Sequence, residues 1–526
     1  MSTNEKVDVV IVGAGASGAL YAAELAKAGK KVVILEQGPD WKVTDMVSNE
    51  IWGRRLKGGA PVTLEGKDKM GYGYNSGWGS GGAAAHYFAM FPRMLESDFN
   101  MKSVHGRGLD WPMSYADLAP YYDRVAQEIG ISGDAKAEER WRPPGAPYPM
   151  PPLPTFRYGD VWLKGFEAMG IKTARATVGI NSRGFKGRPA CVLDGWCNAG
   201  CPTGALANPQ VTYLKEARER GAVLKNGCTV TRVLTNAKGD RVTGVEYYDA
   251  KKEKQLQEAS VVLIAAFVSQ APRLLLNSAT DKHPQGLANK NGLVGRYLMA
   301  HTGSTIWGMF DEPDMQNYMG TLAPMHWSYD RYAKTTRKNA FGSTLWHCSP
   351  AIKPNDIGGI ANSRNELFGQ ALADFIKKGS KQLSRLQAFC EELPNPDNRV
   401  DLDTSRKDEF GLPMARMTHT YDADALGLWQ AGVDEGLEIA KAAGAKESWA
   451  IRGAPTIHMV GGTAMGKSAT DSVCDSYGRS HEIANLFLSG ASVFPTEGAV
   501  NPTYTIFAVS LRGADYMVKN WASIAA

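Results

Sequence analysis

What the chain has little of narrows the field first. No apolar run approaches the roughly 20 residues that cross a bilayer; the longest, VVLIAAFV at 261–268, suits a buried strand. Neither sign of charge is in strong excess. The 59 Lys and Arg nearly balance 54 Asp and Glu, for a net charge of +5, and no basic block or basic–aromatic repeat occurs, so a nucleic-acid partner is not expected. Cysteine is sparse, with seven residues, an odd number, which does not make a secreted disulfide framework. The opening MSTNEKVDVVIVGAG has no basic segment before a cleavable apolar stretch, so it does not read as a signal peptide. A cytoplasmic location is expected, or a periplasmic one by export alongside a signal-bearing partner. There is no internal repeat and no low-complexity segment.

Glycine, by contrast, is abundant at 57 of 526 residues. It favours an α/β protein with many tight turns, long enough for two or three domains or one large domain with an insertion. Residues 7–38, VDVVIVGAGASGALYAAELAKAGKKVVILEQG, carry a full dinucleotide-site grammar. A β-branched run leads into Gly13, Gly15 and Gly18 in G-x-G-x-x-G spacing. A helix follows, then a second strand closed by Glu36. Gly13 permits the turn, Gly15 lets the backbone approach a pyrophosphate, and Gly18 lets helix and strand pack closely. Glu36, 18 residues after Gly18, stands where a carboxylate accepts bonds from ribose hydroxyls. The fingerprint alone allows NAD or FAD.

The C-terminal part decides between them. PTIHMVGGTAMG at 455–466 and LFLSGASVFPTEGAVNPTYTIFA at 486–508 resemble the glucose–methanol–choline (GMC) family of FAD-dependent alcohol oxidoreductases. VGRYLMAHT (294–302) and ELPNPDNRVDLD (392–403) match further blocks, so the resemblance spans the chain. AAFVSQAPRLLLNS (265–278) matches another, except that Phe267 stands where relatives usually carry glycine. The resemblance implies that His458 takes the substrate hydroxyl proton while the carbinol carbon gives a hydride to the flavin. Asn501 is implied as the hydrogen-bond partner of the substrate oxygen. Imidazole suits the proton step because its ordinary pKa lies near neutrality. Without this context His458 would pass for a packed loop histidine, and Asn501 for a turn residue before Pro502.

GYNSGWGSGGAAAHYFAMFPR (73–93) fits the family's loop along the flavin, with Gly81 and Gly82 admitting backbone amides to the ring. His86 is expected beside the flavin, without the covalent bond that the pyranose-oxidase branch makes there; a packed core histidine is the other reading. Ala491 is a further expected flavin neighbour.

CVLDGWCNAGCPTG (191–204) places Cys191, Cys197 and Cys201 with five and three residues between them. Thiolates suit iron–sulfur clusters, while idle thiols, a disulfide plus one, or zinc remain alternatives. The spacing resembles that of the three-iron cluster in FAD subunits of sugar, sorbitol and gluconate dehydrogenases. The resemblance therefore implies a [3Fe-4S] cluster that passes electrons to an external acceptor such as cytochrome c, with a possible small subunit. Two other functions stay open: an oxygen-using oxidase of the pyranose-oxidase type, and a non-catalytic flavin–cluster electron carrier.

The expected architecture is α/β in the flavin domain and α+β overall. A doubly wound FAD-binding domain is built from 1–305 and 455–526, including the cysteine loop 188–204. A substrate domain, 306–454, has an antiparallel sheet backed by helices, and ARMTHTYD (415–422) is taken as one of its strands. Large side chains there, among them Trp327, Tyr329, Trp346 and His347, suggest an aromatic-lined pocket for a sugar, polyol, glycoside or aromatic alcohol.

Overall fold

The structure is a computed structural model that describes residues 3–348, 350–451 and 453–526. Its first sheet is built on the dinucleotide unit. β1 (Thr3–Val12) lies between parallel neighbours β2 (Val32–Glu36) and β8 (Lys254–Ile264). β5 (Val223–Asn226) extends the β2 edge, and β19 (Leu486–Leu488) pairs in parallel with the end of β8. β7 (Val242–Tyr248) and β6 (Thr229–Thr235) complete the seven strands as an antiparallel pair along β8. The β-branched runs follow from the topology: a parallel strand covered on both faces needs an apolar side chain at every position. Val9, Val10 and Ile11 are fully buried. The helix Ala16–Lys27 packs against Tyr213–Glu219 and against Thr503–Lys519, which brings the C-terminus back onto the dinucleotide unit.

The second sheet is antiparallel throughout. β9 (Met299–Met309) is its spine, flanked by β14 (Leu383–Cys390) and β17 (Glu447–Ala450). β13 (Thr344–Cys348), β10 (His326–Ser328) and the two-residue β4 (Ala174–Arg175) follow beyond β14, and β18 (Ile457–Val460) pairs with the start of β9. The helix Ala423–Ala442 lies on β9, backed by Arg157–Ala168. β9 runs through position 305, and β4 and β18 come from outside 306–454, so the second sheet draws on more of the chain than that interval.

ARMTHTYD belongs elsewhere. β16 (Pro413–Thr418) pairs with β15 (Arg399–Lys407) and, in parallel, with β3 (Val62–Glu65) in a separate three-stranded sheet. Alternation along a strand tells which face is buried but not which neighbour it pairs with. A short hairpin, β11 (Thr335–Arg337) with β12 (Ala340–Gly342), completes the strands. Among the described residues no helix is long and apolar enough to cross a membrane.

Candidate active site

One continuous cavity runs from the glycine turn of the first sheet to the second sheet. It is lined by Gly13, Gly15, Glu36, Gly82, His86, Ala491, His458 and Asn501, so residues hundreds of positions apart meet in one place. Gly18 and Gly81 act behind its wall. A Cβ on Gly18 would lie 2.0 Å from the Gly13 carbonyl oxygen, which is why the helix can pack so close to β1. Gly81, at φ +93°, donates its N–H to the Ala14 carbonyl at 2.9 Å and ties the 73–93 loop to the glycine turn.

The dinucleotide end has the shape FAD needs. Gly13, at φ +101°, has no room for a Cβ, which would stand 2.8 Å from the Ala265 oxygen. Beside Gly15 the nearest atom to a Cβ is the Gly82 Cα at 4.0 Å: a strip of bare backbone left open to a flat or anionic group. The Glu36 carboxylate accepts from the amides of Ala14 and Gly38, both at 2.9 Å, which fixes it at the strand end. Phe267, the departure from the family pattern, lines the cavity and packs edge-on to Tyr72 at 5.8 Å. His86 is buried, and its Nε2–H meets the Ser76 carbonyl at 3.0 Å. Burial holds its pKa down to about 4, so the ring is neutral.

His458 is aimed by a local irregularity. β18 pairs with β9 through Ile457 with His301 and Val460 with Met299, three steps against two. The extra residue makes a bulge, and His458 takes a left-handed φ of +58° that β-carbon residues rarely adopt. Its N–H is pinned by the Asn75 side-chain oxygen at 3.0 Å. Gly461, at φ +88°, ends the strand where a Cβ would lie 1.9 Å from the Tyr297 carbonyl oxygen.

The ring's proton positions follow from its partners. The Gly498 carbonyl can only accept, so His301 Nε2, 2.9 Å away, carries a hydrogen. His301 Nδ1 is then an acceptor, and it receives His458 Nδ1–H at 3.2 Å. His458 Nε2 is left with a bare lone pair, met by Asn501 Nδ2–H at 2.9 Å. Burial lowers both histidines, His458 to about 4 and His301 well below the usual range, the latter helped by its neighbour's charge. His458 therefore stands neutral, with its accepting nitrogen toward Asn501 and the cavity. Asn501 Oδ1 is buried with no hydrogen-bond partner among the described residues, a second open position beside the base. His301 lies in the family-like block VGRYLMAHT, but that block alone assigns it no role; the pairing of β9 with β18 brings it to His458.

The aromatic rings at the second-sheet end of the cavity are mostly not those named from the sequence: Phe389 and Tyr74 line it. Trp327 and Trp346 are fully buried in the core, and of the large side chains named from the sequence His347 alone lines the wall. Its neighbours there are Arg385, Gln387 and Phe389 of β14.

The three clustered cysteines form a separate corner. The loop turns sharply, with positive φ at Leu193, Gly195, Gly200 and Cys201. Each sulfur accepts a backbone N–H: Cys191 from Leu193 at 3.3 Å, Cys197 from Leu322 at 3.4 Å, and Cys201 from Leu206 at 3.4 Å. Burial raises the thiols of Cys191, to about 11, and Cys197, with the other cysteines of the loop adding to it. All seven cysteines are unpaired. Among the described residues no three His, Cys, Asp or Glu side chains close tightly enough to grip a single metal ion. Leu322, whose amide bonds Cys197, also lines the cavity.

Comparison with known proteins agrees with this geometry. Residues 8–303 and 394–510 match the two family segments described as GMC oxidoreductase. The fructose dehydrogenase large subunit of Gluconobacter japonicus is 30% identical over 98% of each chain. The 2-methyl-1,2-propanediol dehydrogenase of Mycolicibacterium austroafricanum is 30% identical over 99% of this chain and 96% of its own. The gluconate 2-dehydrogenase flavoprotein of Pantoea cypripedii is 25% identical over 97% and 93%. Among solved structures, a pyridoxine 4-oxidase superposes with a TM-score of 0.69 at 17% identity, covering 97% of this chain and 98% of its own, a likeness of fold. With a glycine turn shaped for a dinucleotide and a neutral, part-buried histidine at the far end of the same cavity, the chain belongs to the GMC oxidoreductase family and is an FAD-dependent enzyme.

Proposed function

We propose that the protein is an alcohol dehydrogenase that oxidises a CH–OH group to a carbonyl and delivers the electrons to an external carrier. The observation that carries this reading is the His301–His458–Asn501 chain at the cavity. The substrate hydroxyl enters between Asn501 and His458, replacing their 2.9 Å hydrogen bond. It donates to His458 Nε2 and accepts from Asn501 Nδ2. As the proton moves onto His458, the Nδ1–H bond to His301 becomes charge-assisted and stabilises the new imidazolium. Once substrate fills the cavity, these bonds act at a lower dielectric than in water. FAD, when bound, supplies the acceptor for the hydride. Gly13, Gly15, Glu36, Gly82 and Ala491 would hold it, with His86 beside it and not bonded to it.

Cys191, Cys197 and Cys201 would hold an iron–sulfur cluster of the three-iron type, which supplies a one-electron carrier. The three amide–sulfur bonds suit such a group, and a cluster spans a wider gap than the single ion for which the loop is not closed. Leu322 bonds Cys197 and lines the cavity, so a carrier held by the loop would lie next to the cavity, which supports this reading. The external acceptor would be cytochrome c or a similar protein, reached directly or through a small subunit; the large-subunit name of the Gluconobacter relative supports that arrangement.

Anaerobic mixing of the holoenzyme with a panel of alcohols tests the reading. Flavin bleaching that is reversed by cytochrome c or ferricyanide, with little peroxide in air, is the expected result. Rapid reoxidation by oxygen with one peroxide per turnover would make the protein an oxidase. Reduction by other donors but by no alcohol would make it an electron carrier.

A further inference from the structure

The loop before the glycine pair and the strand that carries the base meet at one side chain. The short helix Tyr72–Asn75 ends on Asn75, which lines the cavity as His458 does. Its amide uses both of its ends. The oxygen accepts the His458 N–H at 3.0 Å. The nitrogen donates to the Gly71 carbonyl at 2.8 Å and to the Thr456 carbonyl at 3.2 Å. Gly71 adds a bond of its own, from its N–H to Thr456 Oγ1 at 2.6 Å. These partners fix which way the amide points, since two carbonyls need donors and an N–H needs an acceptor.

The bond to His458 has a particular task. The ladder passes from Ile457 to Val460 and gives His458 no opposite residue on β9. A main-chain N–H outside the ladder needs another acceptor, and a left-handed φ of +58° persists only where its surroundings hold it. Asn75 Oδ1 supplies both the acceptor and the restraint. Without it, the nearest relaxation returns φ to the negative side and swings the ring out of line with His301 and Asn501.

The same loop reaches the dinucleotide end. Directly after Asn75, the Ser76 carbonyl meets the His86 ring at 3.0 Å. Farther on, the Gly81 N–H bonds the Ala14 carbonyl at 2.9 Å, and the Gly82 Cα stands 3.0 Å or more from the nearest strip of backbone at Gly15. The chain from Gly71 to Gly82 therefore spans from the base to the glycine turn, past residues that would hold FAD.

We propose that Asn75 is a positioning residue that couples the seating of FAD to the geometry of the base: the loop that would line the flavin also sets the turn that aims His458. The kinetic consequence rests on the alcohol-oxidising reading above; the consequence for FAD retention does not.

The FAD-loaded enzyme and its variants Asn75→Ala, Asn75→Asp and Asn75→Ala combined with His458→Ala test it. Anaerobic stopped-flow gives the limiting rate of flavin reduction and the substrate dissociation constant, and the rise of flavin fluorescence on dilution gives the rate of FAD release. Asn75→Ala should lower the limiting rate about 10–100-fold, with little change in the substrate dissociation constant, and should speed FAD release about fivefold or more. Asn75→Asp, whose carboxyl oxygen still accepts the His458 N–H, should recover most of the rate. In the His458→Ala background, Asn75→Ala should cost nothing further in rate, because a residue that acts through His458 has nothing left to act on. Should Asn75→Ala hold no FAD, Asn75→Ser with one FAD per chain takes its place. An unchanged limiting rate or an unchanged FAD release in Asn75→Ala would overturn the proposal. So would a weakened substrate affinity at an unchanged rate, which would make Asn75 a substrate contact. Equal rates in Asn75→Asp and Asn75→Ala, or additive losses in the double variant, would reduce it to packing. Alcohol reduction lost in His458→Ala but kept in Asn75→Ala would leave the alcohol dehydrogenase standing without this coupling. If no alcohol reduces the unaltered enzyme, the broader reading fails and FAD release decides alone: faster release in Asn75→Ala keeps the clamp, and equal release removes it.

Discussion

His458 is held at a backbone angle that few residues tolerate, and its partners fix both of its nitrogens. Removing it as His458→Ala should slow flavin reduction by alcohol about 10²–10⁴-fold while FAD remains bound; stopped-flow reduction under anaerobic conditions reads this directly. Because burial draws His458 down to about 4, the accepting form is present above that pH. The reduction rate should therefore be flat through neutrality and fall only as pH drops toward 4, whereas an unshifted histidine would put the fall near 6.5. His301 acts through His458. His301→Ala should lower kcat with little change in KM, and His301→Gln, whose side-chain oxygen still accepts the Nδ1–H, should recover much of the loss. Equal rates for the two variants would show that His301 merely fills space. The family resemblance singled out His458 and Asn501 in the sequence, and the fold brings them within 2.9 Å of each other. His301 was not singled out, since its role needs a contact 157 residues away.

At the scale of elements, the bulge in β18 and the glycine turn after it form one device. Gly461→Ala would drive a methyl group to 1.9 Å from the Tyr297 carbonyl at φ +88°. A loss of roughly 1–3 kcal/mol or more is expected from the conformation alone, seen as a lower Tm, together with slower flavin reduction as His458 is displaced. The first sheet was readable because strand, glycine turn, helix and second strand each declare themselves locally. The placement of β16 was not, because its partner β3 lies more than 300 residues earlier. The wall formed by Arg385, Gln387 and His347 was equally hidden, for a strand sequence shows which residues share a face but not what that face will meet. Of the large side chains that suggested an aromatic-lined pocket, Trp327 and Trp346 went to the core and His347 to the cavity wall, for large side chains serve the core as readily as a binding site.

Over the whole molecule, segments far apart in sequence are joined by buried charge as well as by the cavity. Lys334 is buried between Asp98, at 2.6 Å, and Glu391, at 2.7 Å. Burial by itself would lower the ammonium's pKa, but the two carboxylates outweigh it and the group stays charged. Lys334→Met would leave two carboxylates facing each other out of water, at a cost of about 3–5 kcal/mol, and a drop in Tm on thermal unfolding checks it. The cysteine loop is a whole-molecule question too, since a one-electron carrier beside the cavity has a use only if electrons leave the chain. The decisive determination is the iron and acid-labile sulfide content, with an EPR spectrum of the oxidised state, on protein purified without air. About three irons per FAD with an oxidised-state signal, both lost in Cys197→Ser, is the predicted result. Full FAD with neither iron nor sulfide, and all three loop cysteines titrating as free thiols, would contradict it and leave an enzyme that hands its electrons to oxygen or directly to a soluble acceptor.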